Sequence, residues 1–439
     1  MFRKIVAAIV TAMLMLVPLG FASGNTDPLS QSATNQQAID YANKLQEDKL
    51  KSDPLTWDDP NAVAENITVS DQSEQASVPP APQDPFNFNC KAALLIDSDT
   101  GTVLYEKNAD SKLPVASVTK VMTLLLTFDA LNQGKFGLDD TVTISLQAAG
   151  MGGSQALLDA NGKYKVSELI KSIIVASAND SSVAMAEYLF GSETLFVDEM
   201  NKRAEELGMA NTHFVNCTGL PAQGQYTSVT DVSRMSRELI KYPMFYQYSK
   251  VWMYEMQHAN ARITQLSNTN KLTRFYDGCD GIKTGSTDEA GYCLTATAKR
   301  GESRFIAVIA GSATSVERNA AISKMLDYAF ATYKSITIYD QGGVVKSNVV
   351  VWGGQLSTIN AVSIGKISIL VKKGEENKVD KIVEIYQPVR APVERGAQIG
   401  TVKVLKGGQQ IAEYPLVADR TVEEAGFWTN MVKILDSFK

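Results

Sequence analysis

The sequence lacks the side chains from which several common catalytic centres are built. Only two histidines, His213 and His258, occur in 439 residues, so no histidine-rich metal cluster can form. A Ser-His-Asp triad would depend on one of these two, and the G-x-S-x-G turn that carries the nucleophile of α/β-hydrolases is absent. No G-K-S/T phosphate loop occurs either. These absences argue against a histidine-based metal site, an α/β-hydrolase and a P-loop enzyme.

Cysteine and positive charge are also scarce. The four cysteines form no C-x-x-C pair and are too few for a disulfide framework in a chain of this length. We expect buried single thiols, with pairing after export as the alternative. The net charge is −6 and no basic stripe is present, so we expect no nucleic-acid partner.

The N-terminus has the composition of a secretory signal. Arg3 and Lys4 precede an apolar run from Ile5 to Val17, and small residues follow. This order predicts a signal peptide over residues 1–23, with cleavage near Ala22. An uncleaved anchor helix is the alternative, although the run is short for a hydrocarbon core of ~30 Å. The mature protein should therefore be exported and work outside the cytoplasm.

Two changes of composition divide the rest of the chain. Residues 24–85 carry eleven acidic and three basic residues and no packing periodicity beyond that of a short helix near Ala38 to Leu50, which predicts a disordered acidic linker. Residues 86–334 read as two strands, a long helical stretch from Val118, three more strands and a helix from about Glu317 to Tyr333. This order predicts an α/β (α+β) domain in which both ends of the segment supply one antiparallel sheet, with a helical lobe beside it.

The C-terminal part has a different pattern. Residues 335–420 are β-branched, alternating and interrupted by Gly and Pro, which predicts a small all-β domain. Residues 421–439 place their apolar side chains on one helical face, and Thr421 and Glu424 have capping-box spacing. We expect an amphipathic helix that associates with a membrane. Docking of this helix on its own protein is the alternative.

Ser117 and Lys120 are the first candidate catalytic residues along the chain. They lie three apart where a helical pattern starts, so their side chains would share one face. A lysine acts as a base only when its pKa is lowered by desolvation or by a second cation. Lys283, in a Lys-Thr-Gly sequence on a predicted edge strand, would supply that cation. Gly285, in the same sequence, would let substrate approach the strand.

Two further polar residues are expected between helices. Ser177 and Asn179 could line one wall of a cleft, with the hydroxyl relaying a proton and the amide fixing a substrate carbonyl. A second Ser-x-x-Lys match, at Ser363 and Lys366, falls in the β-rich part. Residues three apart on a strand face opposite ways, so that pair should have no joint role.

The ordered set of Ser-x-x-Lys, Ser-x-Asn and Lys-Thr-Gly is typical of penicillin-interacting serine acyltransferases. Longer stretches of residues 86–333 resemble low-molecular-weight penicillin-binding proteins, specifically the serine-type D-alanyl-D-alanine carboxypeptidases of peptidase family S11. These stretches are LPVASVTKVMT, VASANDSSVAMAE, LGMANTHFVNCTGL, NTNKL, GIKTGSTDEAGYCL and ERNAAISKMLDYAF. The resemblance implies a penicillin-binding/β-lactamase-like transpeptidase fold, and the β-rich domain and terminal helix also fit it.

The resemblance further implies a role for each matching position. Ser117 would be the acylated nucleophile and Lys120 its general base, while Ser177 and Lys283 would relay protons and complete the polar network. No metal or cofactor is implied.

Substrate contacts are implied in the same way. Asn179 would orient the peptide, and Thr284 would help to hold its terminal carboxylate. The backbone N–H groups of Ser117 and Ser286 would form the oxyanion hole. Arg318 matches an arginine associated with carboxylate recognition.

The implied function is removal of the terminal D-alanine from peptidoglycan stem pentapeptides, with β-lactams as covalent inhibitors. The outer face of the cytoplasmic membrane would be a further partner, through the terminal helix. Three alternatives stay open on the motifs alone: a DD-endopeptidase, a β-lactamase of the same fold, and a wall-binding protein that binds ligand without turnover.

Overall fold

The computed structural model describes residues 86–427 and residue 431. The predicted signal peptide (1–23) and acidic linker (24–85) lie outside the described residues, as does nearly all of the amphipathic stretch after residue 427.

The domain that is expected to be catalytic, residues 86–334, is built on one antiparallel sheet to which both ends of the segment contribute strands. Its five strands are β1 (Ala92–Asp97), β2 (Val103–Lys107), β7 (Cys279–Thr287), β8 (Gly291–Arg300) and β9 (Ser303–Ser312). They lie in the order β2-β1-β9-β8-β7, so β7 forms one edge of the sheet. The first two come before the helical lobe in sequence and the last three come after it, as predicted.

Strand β1 is buried along its whole length because both faces of the sheet are covered. Leu94 and Ile96 point into the core shared with the helical lobe. Ala93 and Leu95 point into a second core, which the sheet shares with the C-terminal helix of the domain.

The helical lobe surrounds a buried central helix, α1. Its helices are α1 (Lys120–Asn132), α2 (Leu146–Ala149), α3 (Val166–Ala176), α4 (Asn179–Phe190), α5 (Glu193–Glu206), α6 (Val229–Leu239), α7 (Pro243–Ser249) and α8 (Leu272–Phe275). Two short strand pairs interrupt them: β3 (Thr141–Thr143) with β4 (Lys163–Lys165), and β5 (Met253–Gln257) with β6 (Ile263–Ser267). Helix α9 (Ser315–Thr332) returns to cover the second face of the sheet.

The all-β domain follows at once and has its own core. Its strands are β10 (Tyr333–Tyr339), β11 (Val344–Trp352), β12 (Thr358–Ser363), β13 (Ile367–Lys372), β14 (Val379–Ile385), β15 (Val389–Arg390), β16 (Gln398–Lys406) and β17 (Gln409–Ala418). Six form a sheet in the order β14-β16-β17-β12-β11-β15, and β10 pairs with β13. The predicted combination of an antiparallel sheet, a helical lobe and an all-β domain is confirmed.

Polar contacts join the all-β domain to the catalytic domain. The Ser335 hydroxyl donates to Asp97 Oδ1 over 2.8 Å. Lys366 Nζ lies 2.6 Å from Asp99 Oδ2. Both aspartates stand at the turn between β1 and β2.

The predicted start of the terminal helix at Thr421 is wrong. Val422 and Glu424 form β-bridges with Val393 and Gly354, and the Val422 side chain is buried in the core of the all-β domain. A buried apolar side chain and two backbone bridges outweigh a capping-box pattern in the sequence. Among the described residues, no helix is long and apolar enough to span a bilayer.

Candidate active site

Ser117 and Lys120 lie on consecutive turns at the entry to the central helix. Ser117 belongs to a short 3-10 turn, Ala116–Thr119, and Lys120 is the first residue of α1. Lys120 Nζ donates to Ser117 Oγ over 2.9 Å and to the Thr218 carbonyl over 2.6 Å. The two side chains therefore contact each other as predicted, although Ser117 precedes the α-helix instead of being its first residue.

The environment of Lys120 favours the neutral amine. Its side chain is fully buried, and this burial lowers its pKa from 10.5 to about 7. The carboxylate of Asp180 opposes the shift. Cys217 would oppose it too as a thiolate, but burial raises the pKa of that thiol well above 9, so it is neutral at pH 7. A large fraction of Lys120 is thus available as a base near neutral pH.

The loop between α3 and α4 forms one wall of the cleft. Ser177 follows α3 in a left-handed conformation (φ 64°), and Asn179 opens α4. Asn179 Nδ2 donates to the Gly152 carbonyl over 2.6 Å. Ser177 Oγ and Asn179 Oδ1 are buried and have no hydrogen-bond partner within the described part of the chain. Unsatisfied polar atoms of this kind are ones that a bound ligand would satisfy.

Edge strand β7 forms the opposite wall. Lys283 is buried, and its Nζ donates to the Thr284 carbonyl over 3.0 Å. Burial and the positive charges of Lys120 and Arg318 hold the pKa of Lys283 well below 10.5. Thr284 Oγ1 donates to Thr269 Oγ1 over 2.8 Å. Ser286 is exposed and lines the cleft.

Gly285 has a different steric role from the one expected. A Cβ at this position would lie 2.4 Å from the Val115 carbonyl oxygen and 3.0 Å from the backbone N of Ser117. The missing side chain therefore admits the 3-10 turn that carries Ser117, here called the Ser117 turn, rather than only the substrate. Strand β7 and the Ser117 turn are packed backbone to backbone at this point.

Arg318 reaches the same cleft from the first turns of α9. It is buried, and its guanidinium donates to the Asn319 side chain and to the Cys293 carbonyl. Both partners are neutral, and no carboxylate pairs with Arg318 among the residues that the structure describes. Burial of this charge lowers the pKa of Arg318. An uncompensated guanidinium at the cleft is suited to receive a carboxylate.

The cleft also contains residues to which the sequence analysis assigned no role. Its lining includes Ser154, Thr269, Tyr292 and Ser315 together with the predicted residues Ser117, Ser177, Thr284, Gly285, Ser286 and Arg318. Thr269 and Tyr292, like Thr218, lie in stretches that carry the family resemblance, so a closer comparison of those stretches could have found all three. Ser154 and Ser315 lie outside these stretches.

The other conspicuous residues have structural surroundings. His213 Nδ1 contacts the Gly224 carbonyl at 2.9 Å on the surface. Cys217, Cys279 and Cys293 are buried thiols, as expected, whereas Cys90 is only partly buried. In the second Ser-x-x-Lys match, Ser363 Oγ donates to the Asp340 carbonyl, whereas Lys366 contacts Asp99. The two side chains of that pair therefore have different partners.

Two family models match the chain, and together they span both domains. The peptidase S11 family, described as D-alanyl-D-alanine carboxypeptidase, matches residues 73–314. The chain belongs to this family. The C-terminal domain of penicillin-binding protein 5 matches residues 333–424. The resemblance drawn from the motifs is confirmed.

Curated relatives and solved structures agree with this assignment. The D-alanyl-D-alanine carboxypeptidase DacF of Bacillus subtilis is 44% identical over 340 residues, which cover 77% of this chain and 87% of the relative. DacA of Escherichia coli is 32% identical over 380 residues, which cover 84% and 91%. The structure of penicillin-binding protein 5 from Haemophilus influenzae has a TM-score of 0.66 at 30% identity, covering 77% of this chain and 99% of that one.

Proposed function

We propose that this chain removes the terminal D-alanine from peptidoglycan stem peptides through an acyl-enzyme on Ser117. The observation that carries the proposal is the contact between Lys120 and Ser117, in which a fully buried amine with a pKa of about 7 lies 2.9 Å from a hydroxyl. A neutral amine at this distance can accept the hydroxyl proton as the oxygen attacks. The family to which the chain belongs supplies the reaction class.

In the acylation step, Ser117 Oγ attacks the carbonyl carbon of the peptide bond between the two D-alanines. The hydroxyl proton passes to Lys120 Nζ. The C–N bond then breaks, and a proton is returned to the leaving amine of D-alanine through the lysine and the Ser177 hydroxyl. The products of this step are an ester on Ser117 and free D-alanine.

The substrate is held by groups on both walls of the cleft. The side chain of Asn179 binds the peptide backbone, and the backbone N–H groups of Ser117 and Ser286 stabilise the tetrahedral oxyanion. Thr284 and Arg318 bind the terminal carboxylate. The absence of a carboxylate partner for Arg318 in the described residues supports this last role, because an unpaired buried guanidinium gains most from an anionic ligand.

Water completes the cycle. A water molecule attacks the ester carbonyl, and its proton passes to Lys120. The bond between the carbonyl carbon and Ser117 Oγ then breaks, Lys120 returns the proton to Oγ, and the shortened peptide departs with a free carboxyl group. A β-lactam would acylate the same serine because its strained amide resembles the bond between the two D-alanines. Ring opening releases no fragment, so no space is freed for the hydrolytic water and the ester persists.

The test combines fluorescent-penicillin labelling with D-alanine release from a pentapeptide ending in D-Ala-D-Ala. We expect the wild type to give both signals and Ser117→Ala to give neither. Ser363→Ala is the matched control, because it removes the serine of the second Ser-x-x-Lys match and should leave both signals unchanged. Labelling of the wild type without release of D-alanine would contradict the carboxypeptidase proposal.

We also propose that the chain is exported and attached peripherally to the outer face of the cytoplasmic membrane. The signal-like segment at residues 1–23 and the amphipathic pattern after Phe427 support this. Residues 421–425 pair with the all-β domain, so their removal would disturb that domain. The truncated variant for this test therefore ends after Phe427. If the truncated and full-length mature proteins partition equally between membrane and soluble fractions, the anchor is wrong.

A further inference from the structure

The turn that follows β11 exposes two large apolar side chains. Trp352, the last residue of β11, is 63% exposed, and Leu356, four residues later, is 44% exposed. We call residues 352–356 the Trp352 turn. Two large exposed apolar side chains within five residues of each other are a candidate for a contact surface.

Backbone hydrogen bonds fix this turn to the point where the chain leaves the all-β domain. The Gln355 N–H donates to the Glu423 carbonyl over 2.8 Å, and the Ala425 N–H donates to the Gly353 carbonyl over 2.7 Å. Gly354 forms the β-bridge with residue 424. The Trp352 turn therefore lies beside the segment that leads into the C-terminal stretch.

Close packing makes this junction rigid. Val422 is 1% exposed, and a Cβ on Gly354 would lie 2.6 Å from its Cγ1 atom. A glycine is therefore needed for the turn to pack on this buried valine. Phe427 follows five residues after Val422 and is 74% exposed, and Met431 is 43% exposed. The Trp352 turn is thus fixed to residues 422–425, and Phe427 lies only two residues beyond them in the chain.

The charges around this surface nearly cancel. Arg390 is paired across the sheet with Trp352, and the Arg395 N–H donates to Thr421 Oγ1 over 3.1 Å. The ionisable side chains on the segments that meet here are Arg390, Arg395 and Arg420 on the positive side and Glu394, Asp419, Glu423 and Glu424 on the negative side. A polyanion would therefore find little net attraction, so the surface fits an apolar partner better than an anionic polymer.

We propose that the Trp352 turn is a second membrane contact, which places Trp352 and Leu356 in the interfacial layer of a lipid bilayer beside the terminal stretch. The proposal rests on the membrane attachment proposed above and adds a folded element to it. A tryptophan ring has an apolar body and one N–H donor, a combination that is favoured at membrane interfaces. Once the terminal stretch is bound to a bilayer, the Trp352 turn is kept close to the same bilayer. Its local concentration at the lipid surface is therefore high, which favours its binding.

The test measures partition of the full-length mature chain onto lipid vesicles by sedimentation. The double variant Trp352→Ser/Leu356→Ser removes the exposed apolar side chains of the turn. The matched control is Ile382→Ser/Ile411→Ser, since these two residues are 47% and 45% exposed on β14 and β17 of the same domain. We expect the partition coefficient to fall about tenfold in the first variant and to be unchanged in the control.

Lipid composition and salt provide a second arm. Because the local charges nearly cancel, partition onto phosphatidylcholine vesicles should persist in 0.5 M salt, and the loss in the Trp352→Ser/Leu356→Ser variant should be the same with phosphatidylglycerol added. A loss that appears only with phosphatidylglycerol at low salt would overturn the apolar contact. Release of D-alanine in solution should be equal in all variants, which shows that the catalytic domain is intact.

The remaining outcomes separate this proposal from those on which it rests. If the wild type binds vesicles and the double variant binds equally, the Trp352 contact is wrong and the terminal anchor stands. If the wild type itself does not bind, both membrane proposals fail while the assigned hydrolysis is unaffected. If the double variant instead abolishes a concentration-dependent dimer and leaves partition unchanged, the surface serves a second copy of the chain and the proposal is overturned.

Discussion

The chemistry of the cleft depends on how one amine is enclosed. Lys120 is surrounded by the start of α1, by the loop that carries Thr218 and by the edge strand that carries Lys283. The three-residue spacing from Ser117 predicted that the two side chains would meet. It did not predict the pKa of the amine, because burial by residues about a hundred and more positions away sets that value.

A pH profile tests the role of this amine directly. Lysine is a base only when deprotonated, so the second-order rate constant for acylation by penicillin should rise about tenfold per pH unit below pH 7 and level off above it. The measurement is fluorescent-penicillin labelling from pH 5 to pH 9, with circular dichroism at each pH as the control for folding. A profile that is flat between pH 5.5 and 8.5 would contradict Lys120 as the general base.

Substitution of Asp180 by asparagine tests its electrostatic effect on Lys120. In Asp180→Asn the opposing negative charge is lost, so the pKa of Lys120 should fall further and the rising limb of the profile should move to lower pH. The readout is the same labelling series. Asp198→Asn, an exposed aspartate on α5, is the control and should leave the profile where it is.

At the scale of elements, the cleft is a junction between the Ser117 turn, the loop before α4 and edge strand β7. The sequence predicted these three elements in order and the position of the last at a sheet edge. The 3-10 turn before α1 and the β5–β6 hairpin were missed. Both depend on contacts with elements that are distant in the sequence, such as the packing of the Ser117 turn against Gly285. The local periodicity of the sequence carries no information about such contacts.

Gly285→Ala should disturb this junction without a change in any catalytic group. The new methyl would lie 2.4 Å from the Val115 carbonyl oxygen, so the Ser117 turn must move away from β7. We expect acylation by penicillin to slow about a hundredfold, since small displacements of reacting groups have effects of this size. Gly365→Ala is the control, because no atom lies within 4 Å of its Cβ position. Acylation at the wild-type rate in Gly285→Ala would show that the packing can adjust.

The carboxylate of Asp180 accepts two hydrogen bonds from backbone N–H groups of the loop beside α4. Asp180 accepts hydrogen bonds from the Ala156 N–H over 3.0 Å and from the Leu158 N–H over 3.1 Å. In Asp180→Ala both buried donors lose their partner, and the free energy of unfolding should fall by about 3 kcal/mol. Urea denaturation measures the loss, and Asp198→Ala should change it by less than about 0.5 kcal/mol. An equal midpoint in both variants would contradict the role of Asp180.

At the scale of the whole molecule, the described residues form two domains with separate cores, joined by few polar side-chain contacts. The change from helical to alternating β-branched sequence predicted their boundary well, since strand β10 begins at Tyr333. The end of the all-β domain was placed too early. The residue types of a capping box can be recognised in the sequence. The hydrophobic core that buries Val422 forms only when the sheet has folded.

Acylation should stabilise the two domains unequally. A penicilloyl group on Ser117 contacts only the catalytic domain, so its thermal transition should rise by a few degrees while that of the all-β domain stays where it is. Differential scanning calorimetry with and without penicillin measures this, and Ser117→Ala is the control. A single transition that moves as one would indicate that the domains unfold together.

The enclosure of Lys120 also has a consequence for proton uptake on unfolding. Between about pH 7 and pH 10.5 the unfolded chain holds a proton on this amine that the native protein lacks, so stability should increase as the pH rises through that window. Below pH 7 both states are protonated and the native state keeps a cation that has lost its hydration. The shift from 10.5 to about 7 corresponds to about 5 kcal/mol, as much as the whole net stability of many domains. Selection for acylation thus holds this fold below the stability that an apolar side chain at the same position would allow.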